Sequence, residues 1–130
     1  MKYVKRALIM IVVLFIIIIV SGILSLYYLN CSAMKLEADI EAASTSLNSI
    51  NWEGAQKHLD SFEEKWSKTK GYWATLIDHI EIDNIQGSYT KSKKYIEAKE
   101  YPSATAELES LKELIQHIPE KERFTLENIF

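Results

Sequence analysis

The sequence predicts an all-α protein, in which an N-terminal transmembrane helix continues into a small antiparallel four-helix bundle of two αα-hairpins. Three observations predict this fold: an uncharged apolar run near the N-terminus, four later stripes of apolar residues, and an internal repeat that relates 51–62 to 100–111. Apolar residues at alternating steps of three and four share one face of a helix. The predicted segments are a cytoplasmic tail over residues 1–6, a transmembrane helix over 7–29 and an extracytoplasmic domain over 30–130.

The apolar run from Ala7 to Leu29 contains no charged residue. A helix over the whole run extends about 34 Å at about 1.5 Å per residue, which exceeds the roughly 30 Å hydrocarbon core of a bilayer. Lys2, Lys5 and Arg6 precede the run, and this positive flank predicts a cytoplasmic N-terminus. The alternative is a cleaved signal peptide, whose apolar region is normally much shorter, about 7–15 residues. An uncleaved anchor is therefore favoured.

The charge of the chain divides at the predicted membrane. The part of the chain before Asn30 carries three basic and no acidic side chains, whereas the remainder carries 12 basic against 18 acidic side chains. Nucleic acid requires a concentrated basic face, so this acidic exterior argues against nucleic acid as a partner. About 100 exterior residues are enough for one small core.

Cys31 is the only cysteine, so no intramolecular disulfide can form. The residue is interpreted as a plain boundary position, with an intermolecular bridge between parallel neighbours as the alternative. A lipoprotein signal would need a small residue before Cys31, and Leu29 and Asn30 fit that requirement poorly.

Two apolar stripes predict the first hairpin of the exterior domain. Neither Pro nor Gly separates the first stripe from the membrane run, so the transmembrane helix is predicted to continue outward without a break. Asn51 is a plausible N-cap for a second helix over about 52–68, and Gly71 is interpreted as its stop signal. The first stripe is Ala33, Leu36, Ile40, Ala43, Leu47 and Ile50, and the second is Trp52, Ala55, Leu59, Phe62 and Trp66.

Two further helices are predicted. The third runs from about Tyr72 to Lys99. Its apolar stripe shifts around the helix near Gly87, which predicts either a bend or a change of packing partner. The fourth contains Pro102 in its first turn, where the missing N–H costs nothing. Pro119 is expected to interrupt it, and residues 120–130 to fold back as a short helix that closes the bundle. The fourth stripe is Tyr101, Ala104, Leu108, Leu111, Ile115 and Ile118.

The internal repeat aligns residues 51–62 with residues 100–111. In both copies an aromatic residue is followed three positions later by Ala and four beyond that by Leu, which resembles the second-helix start of a tetratricopeptide-type hairpin. Only two copies exist, and their spacing exceeds the typical period of about 34 residues, so the pattern predicts two hairpins and not a repeat array. A chance match of two amphipathic helices is the alternative.

The stretch over residues 72–85 contains the candidate ligand site. His79 and Asp83 lie four positions apart on one helix face, and Glu81 lies between them. Imidazole and carboxylate groups are metal ligands, although a third ligand would have to come from His58 or His117. The alternative is that these groups cap or pair with neighbouring helices, and no HExxH, paired CxxC or EF-hand motif is present.

Two groups of residues are candidates for an interaction surface. Lys91, Lys93 and Lys94 form a basic run that suits anionic lipid headgroups or cell-wall polymers, with a solvated helix face as the alternative. Trp66 and Trp73 occupy apolar stripes and are expected in the core, with an exposed aromatic patch for a partner as the alternative.

A family resemblance is carried by a short motif, Trp73-x-x-Leu76-x-x-His79-x-Glu81-Ile82-Asp83-x-Ile85, and by Trp66, Ala104, Leu108, Leu111, Asn128 and Ile129. On these residues the chain resembles small single-pass membrane proteins of unknown function from clostridial Gram-positive bacteria. The resemblance implies a bacterial membrane-anchored helical domain, and it implies no catalytic residues.

The expected function is that of a membrane-anchored interaction or scaffold module that docks another envelope or membrane protein, or a second copy of itself. The alternative is a sensor-like domain that binds a ligand or metal at residues 79–83. No nucleophile elbow or phosphate-binding Gly-rich loop is present, so neither catalysis nor a cofactor is expected. The six-residue tail leaves no room for a signalling output inside the cell.

Overall fold

The computed structural model describes residues 1–129, with the side chain of Ile129 left undescribed. The described residues form four helices: α1 (Lys2–Asn48), α2 (Trp52–Leu76), α3 (His79–Glu97) and α4 (Tyr101–Ile129). No strand occurs in this part of the chain. Helices α1 and α3 each pack against α2 and α4 and lie diagonally opposite each other. The predicted all-α four-helix bundle is confirmed.

Helix α1 is one continuous rod of 47 residues that changes environment along its length. Its N-terminal half is exposed and apolar, long enough to cross a membrane, and therefore compatible with a single-pass anchor. An N-terminal signal sequence passes the same test of length and composition. From Leu29 onward the same helix contributes one face to the bundle core, as the uninterrupted stripe predicts. Its buried apolar residues are Leu29, Ala33, Leu36, Ile40, Ala43 and Leu47.

The bundle core follows the predicted stripes. In α2, α3 and α4 its buried apolar residues are Ala55, Leu59, Phe62, Trp66, Trp73, Ile85, Tyr89, Ile96, Ala104, Leu108, Leu111, Ile115 and Ile118. At the edge of the core, the hydroxyl of the buried Tyr89 donates a hydrogen bond to the exposed Glu63 at 2.8 Å. Burial raises the pKa of Tyr89, and the hydrogen bond to Glu63 raises it further, so the phenol stays neutral and remains a donor.

The two hairpin turns share one backbone geometry, and they occupy equivalent positions of the internal repeat. Ile50 and Lys99 both adopt left-handed conformations, with φ of 54° and 56°. The backbone N–H of the next residue donates to the carbonyl of Ser46 at 2.8 Å in one turn and to that of Tyr95 at 2.9 Å in the other. Helices α2 and α4 begin immediately afterwards. The repeat therefore marks the α1–α2 and α3–α4 hairpins.

The predicted boundary between the second and third helices is wrong. Helix α2 passes through Gly71 and ends at Leu76, whereas the third helix starts at His79 instead of Tyr72. The buried Trp66 and Trp73 lie on one face of α2, and their burial outweighs the roughly 1 kcal/mol that a helical Gly costs. The third helix is therefore shorter than predicted. The apolar stripe of the predicted third helix shifts because residues 72–76 belong to α2 and the later residues to α3.

The predicted interruption at Pro119 is also wrong. Helix α4 continues through Pro119 to Ile129, so no short helix folds back within the described residues; Phe130 lies outside them. Proline removes one backbone hydrogen bond from a helix interior. Ile118 and Pro119 are both buried, and further along α4 Leu126 packs against α1 beside Gly22. These contacts hold the last turns of α4 along α1.

Candidate functional site at the bundle base

One end of the bundle combines three segments next to the apolar half of α1: residues 22–32 of α1, residues 72–81 around the α2–α3 turn, and residues 119–128 of α4. We call this end the base. Lys112 pairs with Glu41, Gln116 donates to Glu37 at 2.6 Å, and Leu126 lies beside Gly22. Residue numbers thus rise along α4 as they fall along α1. The two helices are antiparallel, and α4 ends beside the apolar half of α1.

Trp73 joins α2 to α1 within the base. Its indole N–H donates to the Ser32 hydroxyl at 2.9 Å, and its ring meets Trp66 edge-on with ring centroids 5.6 Å apart. The Trp66 indole donates to Gln86 of α3 at 3.0 Å. Trp66 and Trp73 are only 1% and 0% exposed, so neither is available to a partner. This corrects the alternative that places them in an interaction surface and agrees with their expected core positions.

The α2–α3 turn is built by one extended residue and one cap. Ile77 has φ −130° and ψ 167°, which ends α2. Asp78 then caps α3, because its side chain accepts a hydrogen bond from the Ile80 N–H at 3.2 Å. The sequence analysis misses this cap because it takes Gly71 as the end of the second helix, which places Asp78 inside the third helix.

The candidate ligands at the start of α3 are not brought to a common centre. His79 and Asp83 share the predicted helix but are exposed, while Glu81 is half-buried and pairs with Lys121 of α4 at 3.2 Å. Among the described residues, no three His, Cys, Asp or Glu side chains are placed to hold a metal ion. The Glu81–Lys121 pair is the inter-helix pairing of the alternative interpretation.

The basic run lies at the opposite end of the bundle. Lys91 is twelve residues after His79, so it stands about 18 Å along α3 from the base. Lys91 and Lys94 are exposed, Lys93 is half-buried, and Lys94 lies 3.7 Å from Glu97. These lysines therefore lie away from the base, in the part of α3 nearer the two hairpin turns. The fold does not return them to the side of the apolar half of α1.

A groove of about 330 Å³ runs between α1 and α4 at the base. Sequence reasoning misses it because Pro119 predicts an end to the helix that forms one wall. The groove combines apolar side chains with a guanidinium, a carboxylate, a phenol and an amide. Its lining residues are Ile23, Leu26, Tyr27, Asn30, Pro119, Glu120 and Arg123.

Comparison with known proteins gives a family and no activity. Residues 23–129 match the family described as "Domain of unknown function (DUF4363)", which covers the bundle and the adjoining end of the apolar segment. No curated protein matches the chain. No solved structure matches it either.

Proposed function

The chain belongs to the DUF4363 family, and we propose that it is a single-pass membrane protein whose helical bundle serves as an extracytoplasmic interaction module. In this proposal residues 1–6 are cytoplasmic, residues 7–29 form the anchor, and the bundle stands on the outer face of the membrane. Its partner is another envelope or membrane protein, or a second copy of the chain. A clostridial-type Gram-positive source and a tetratricopeptide-like hairpin style belong to the same proposal.

The observation that carries the proposal is the exposed apolar surface of α1. Nearly every large side chain from Leu8 to Leu24 is about half exposed or more. Monomeric soluble proteins rarely expose a contiguous apolar surface of this extent. A bilayer covers such a surface all round, and a helix satisfies its own backbone hydrogen bonds there.

The continuity of α1 supports a scaffold role. Because the anchor and the first bundle helix are one rod without Pro or a helix break, the bundle cannot swing freely on a linker. The distal turns then stand at a set height, about 30 Å beyond the bundle base at 1.5 Å per residue. A partner at Lys91, Lys93 and Lys94 is held below these turns, about 18–22 Å from the base along α3.

Topology is tested by cysteine labelling in the Cys31→Ser background. Ala98→Cys lies in the exposed distal turn and Tyr3→Cys in the tail. A membrane-impermeant maleimide is expected to label the first variant in intact cells and the second only after permeabilisation. The opposite pattern would reverse the compartment. Release of a shortened soluble chain, measured by intact mass, would show that the apolar segment is a cleaved signal peptide and not an anchor.

The interaction role is tested by cross-linking in membranes. Simultaneous Lys91→Glu and Lys94→Glu substitutions reverse charge at the distal end, and Lys57→Glu is the matched exposed control on α2. A discrete adduct, whether a dimer or a complex with a second protein, is expected with the parent chain and the control. It should be lost in the double variant. Equal adducts from all three chains would exclude the distal lysines from the interface.

A further inference from the structure

The part of α1 that no other helix contacts is shorter than the predicted transmembrane helix over residues 7–29. Helix α1 is contacted by the bundle from Gly22 onward: a Cβ at Gly22 would lie 3.2 Å from Leu126. Ser25, Leu26 and Leu29 line a pocket with Leu76 and Leu126. From Gly22 onward one face of α1 is covered, while Ile23, Leu24 and Tyr27 on its other faces stay 56–68% exposed. Only residues 7–21 are bare on every side, and a helix of about 15 residues extends about 22 Å. A hydrocarbon core of roughly 30 Å exceeds this by about 8 Å.

If the hydrocarbon core is thicker than the uncovered part of α1 is long, the base itself must present apolar surface to lipid, and it does. Beyond residue 30, the described chain has five large apolar side chains that are mostly exposed: Met34, Ile50, Tyr72, Ile80 and Phe124. Three of them belong to the base, where Tyr72, Ile80 and Phe124 are 65–67% exposed. Tyr72 also lies against Tyr28, with ring centroids 5.5 Å apart. Paired tyrosines are typical of a membrane interface, where one end of the ring is apolar and the other hydrated.

The charges of the base suit a shallow position. Glu81 and Lys121 neutralise each other at 3.2 Å. Arg123 lines the α1–α4 groove together with Tyr27 and Asn30. An arginine on a flexible stem reaches toward lipid phosphates while its carbon chain follows apolar surface. The base also contains Asp78, Glu120, Glu122 and Glu127, so it carries five acidic against two basic side chains. These charged side chains require headgroup depth, while the apolar side chains of the base reach the top of the acyl chains.

We propose that the base is embedded in the outer leaflet, with Ile80 and Phe124 at the top of the acyl chains and Arg123 among the lipid phosphates. This inference rests on the proposed anchor and deepens it. The bundle then has no exposed stalk beneath it. The chain contacts the bilayer through α3 and α4 as well as α1, which restricts the tilt of the distal end.

The test uses the full chain with Cys31→Ser, reconstituted in phosphatidylcholine–phosphatidylglycerol vesicles that contain lipid with a nitroxide near the top of its acyl chain. An environment-sensitive fluorophore is attached at Ile80→Cys or Phe124→Cys, with Ala98→Cys as the distal control. Strong quenching and blue-shifted emission are expected at positions 80 and 124 and not at position 98. Thr125→Cys, one residue from Phe124 and exposed, replaces any variant that loses its helical circular dichroism.

A fourth probe separates this inference from the anchor on which it rests. Leu14→Cys lies at the middle of the uncovered helix and is quenched by a nitroxide placed deep in the acyl chain if the anchor spans the bilayer. If the probe at position 14 is quenched but the probes at positions 80 and 124 are as unquenched as the probe at position 98, the embedded base is overturned. The anchor is then left intact. An unquenched position 14 would overturn both proposals.

Discussion

The two halves of α1 have similar length and the same helical backbone, yet they follow different sequence rules. Residues 7–21 are apolar on every side, whereas residues 29–47 are apolar on one stripe and polar elsewhere. A helix surrounded by lipid needs apolar side chains all round, while a helix at the edge of a bundle needs them only toward its neighbours. The side-chain pattern of the first half is therefore compatible with a lipid environment, while that of the second half matches its packing in the bundle.

The largest effect that would sharpen this comparison comes from one substitution made in each half. Ile40→Ala removes a fully buried side chain and is expected to lower the free energy of unfolding of the bundle by about 2–5 kcal/mol. Ile16→Ala removes the same atoms from the exposed half and should leave bundle stability unchanged. Urea unfolding of the full chain in detergent micelles measures both, because all three tryptophans lie in the bundle. Equal losses would show that the two halves share one core.

Much of the fold follows from such local patterns, and the misses share one physical cause. The uninterrupted α1, the hairpin turns and the core stripes are visible in the sequence because each depends on periodicity along a single helix. Gly71 and Pro119 favour helix ends in the sequence because each weakens a helix by about 1–3 kcal/mol on its own. The burial of Trp73 and the contact of Leu126 with α1 reverse that outcome, and both depend on neighbours distant in sequence.

The same limit applies to the candidate site. The spacing of His79 and Asp83 correctly places them on one helix, but the residues that face α3 cannot be read from that spacing. Glu81 meets Lys121 instead of a further ligand. The α1–α4 groove escapes sequence reasoning because it exists only if α4 continues past Pro119. Sites assembled from two helices need the packing to be known first.

The two hairpin turns provide a smaller test within the bundle half. Ile50→Gly is expected to raise the free energy of unfolding by about 1 kcal/mol, because a left-handed conformation strains a β-branched residue and not glycine. Lys99→Gly should have the same sign and a similar size. Ala98→Gly is the matched control: its φ of −80° is unstrained, so glycine there should not stabilise. Urea unfolding at one pH compares all three, and stabilisation by the control alone would contradict the strain argument.

The pH dependence of the core should come partly from Tyr89. Its pKa is raised by burial and by the Glu63 hydrogen bond, so the neutral phenol is favoured in the folded state. The resulting stability is fully present below the unfolded pKa near 10 and is lost as the pH rises above it. Between pH 8 and pH 11 the parent chain should lose more stability than Tyr89→Phe, by at most about 1.4 kcal/mol because Glu63 is exposed and water screens the pair. Equal losses in urea unfolding would mean that the phenol ionises freely in the fold.

The smallest expected effect concerns the base, where the ligand-binding alternative makes the opposite prediction. If His79 and Asp83 are only exposed residues beside a paired Glu81, then zinc, manganese or calcium should not change the melting temperature of the full chain in micelles. A ligand that binds the folded state alone raises that temperature in proportion to its binding free energy. A rise of several degrees that disappears in His79→Ala, and persists in the exposed non-ligand control Lys57→Ala, would establish a metal site. A further ligand would then have to come from another helix and lie closer to His79 and Asp83 than Lys121 of α4 does.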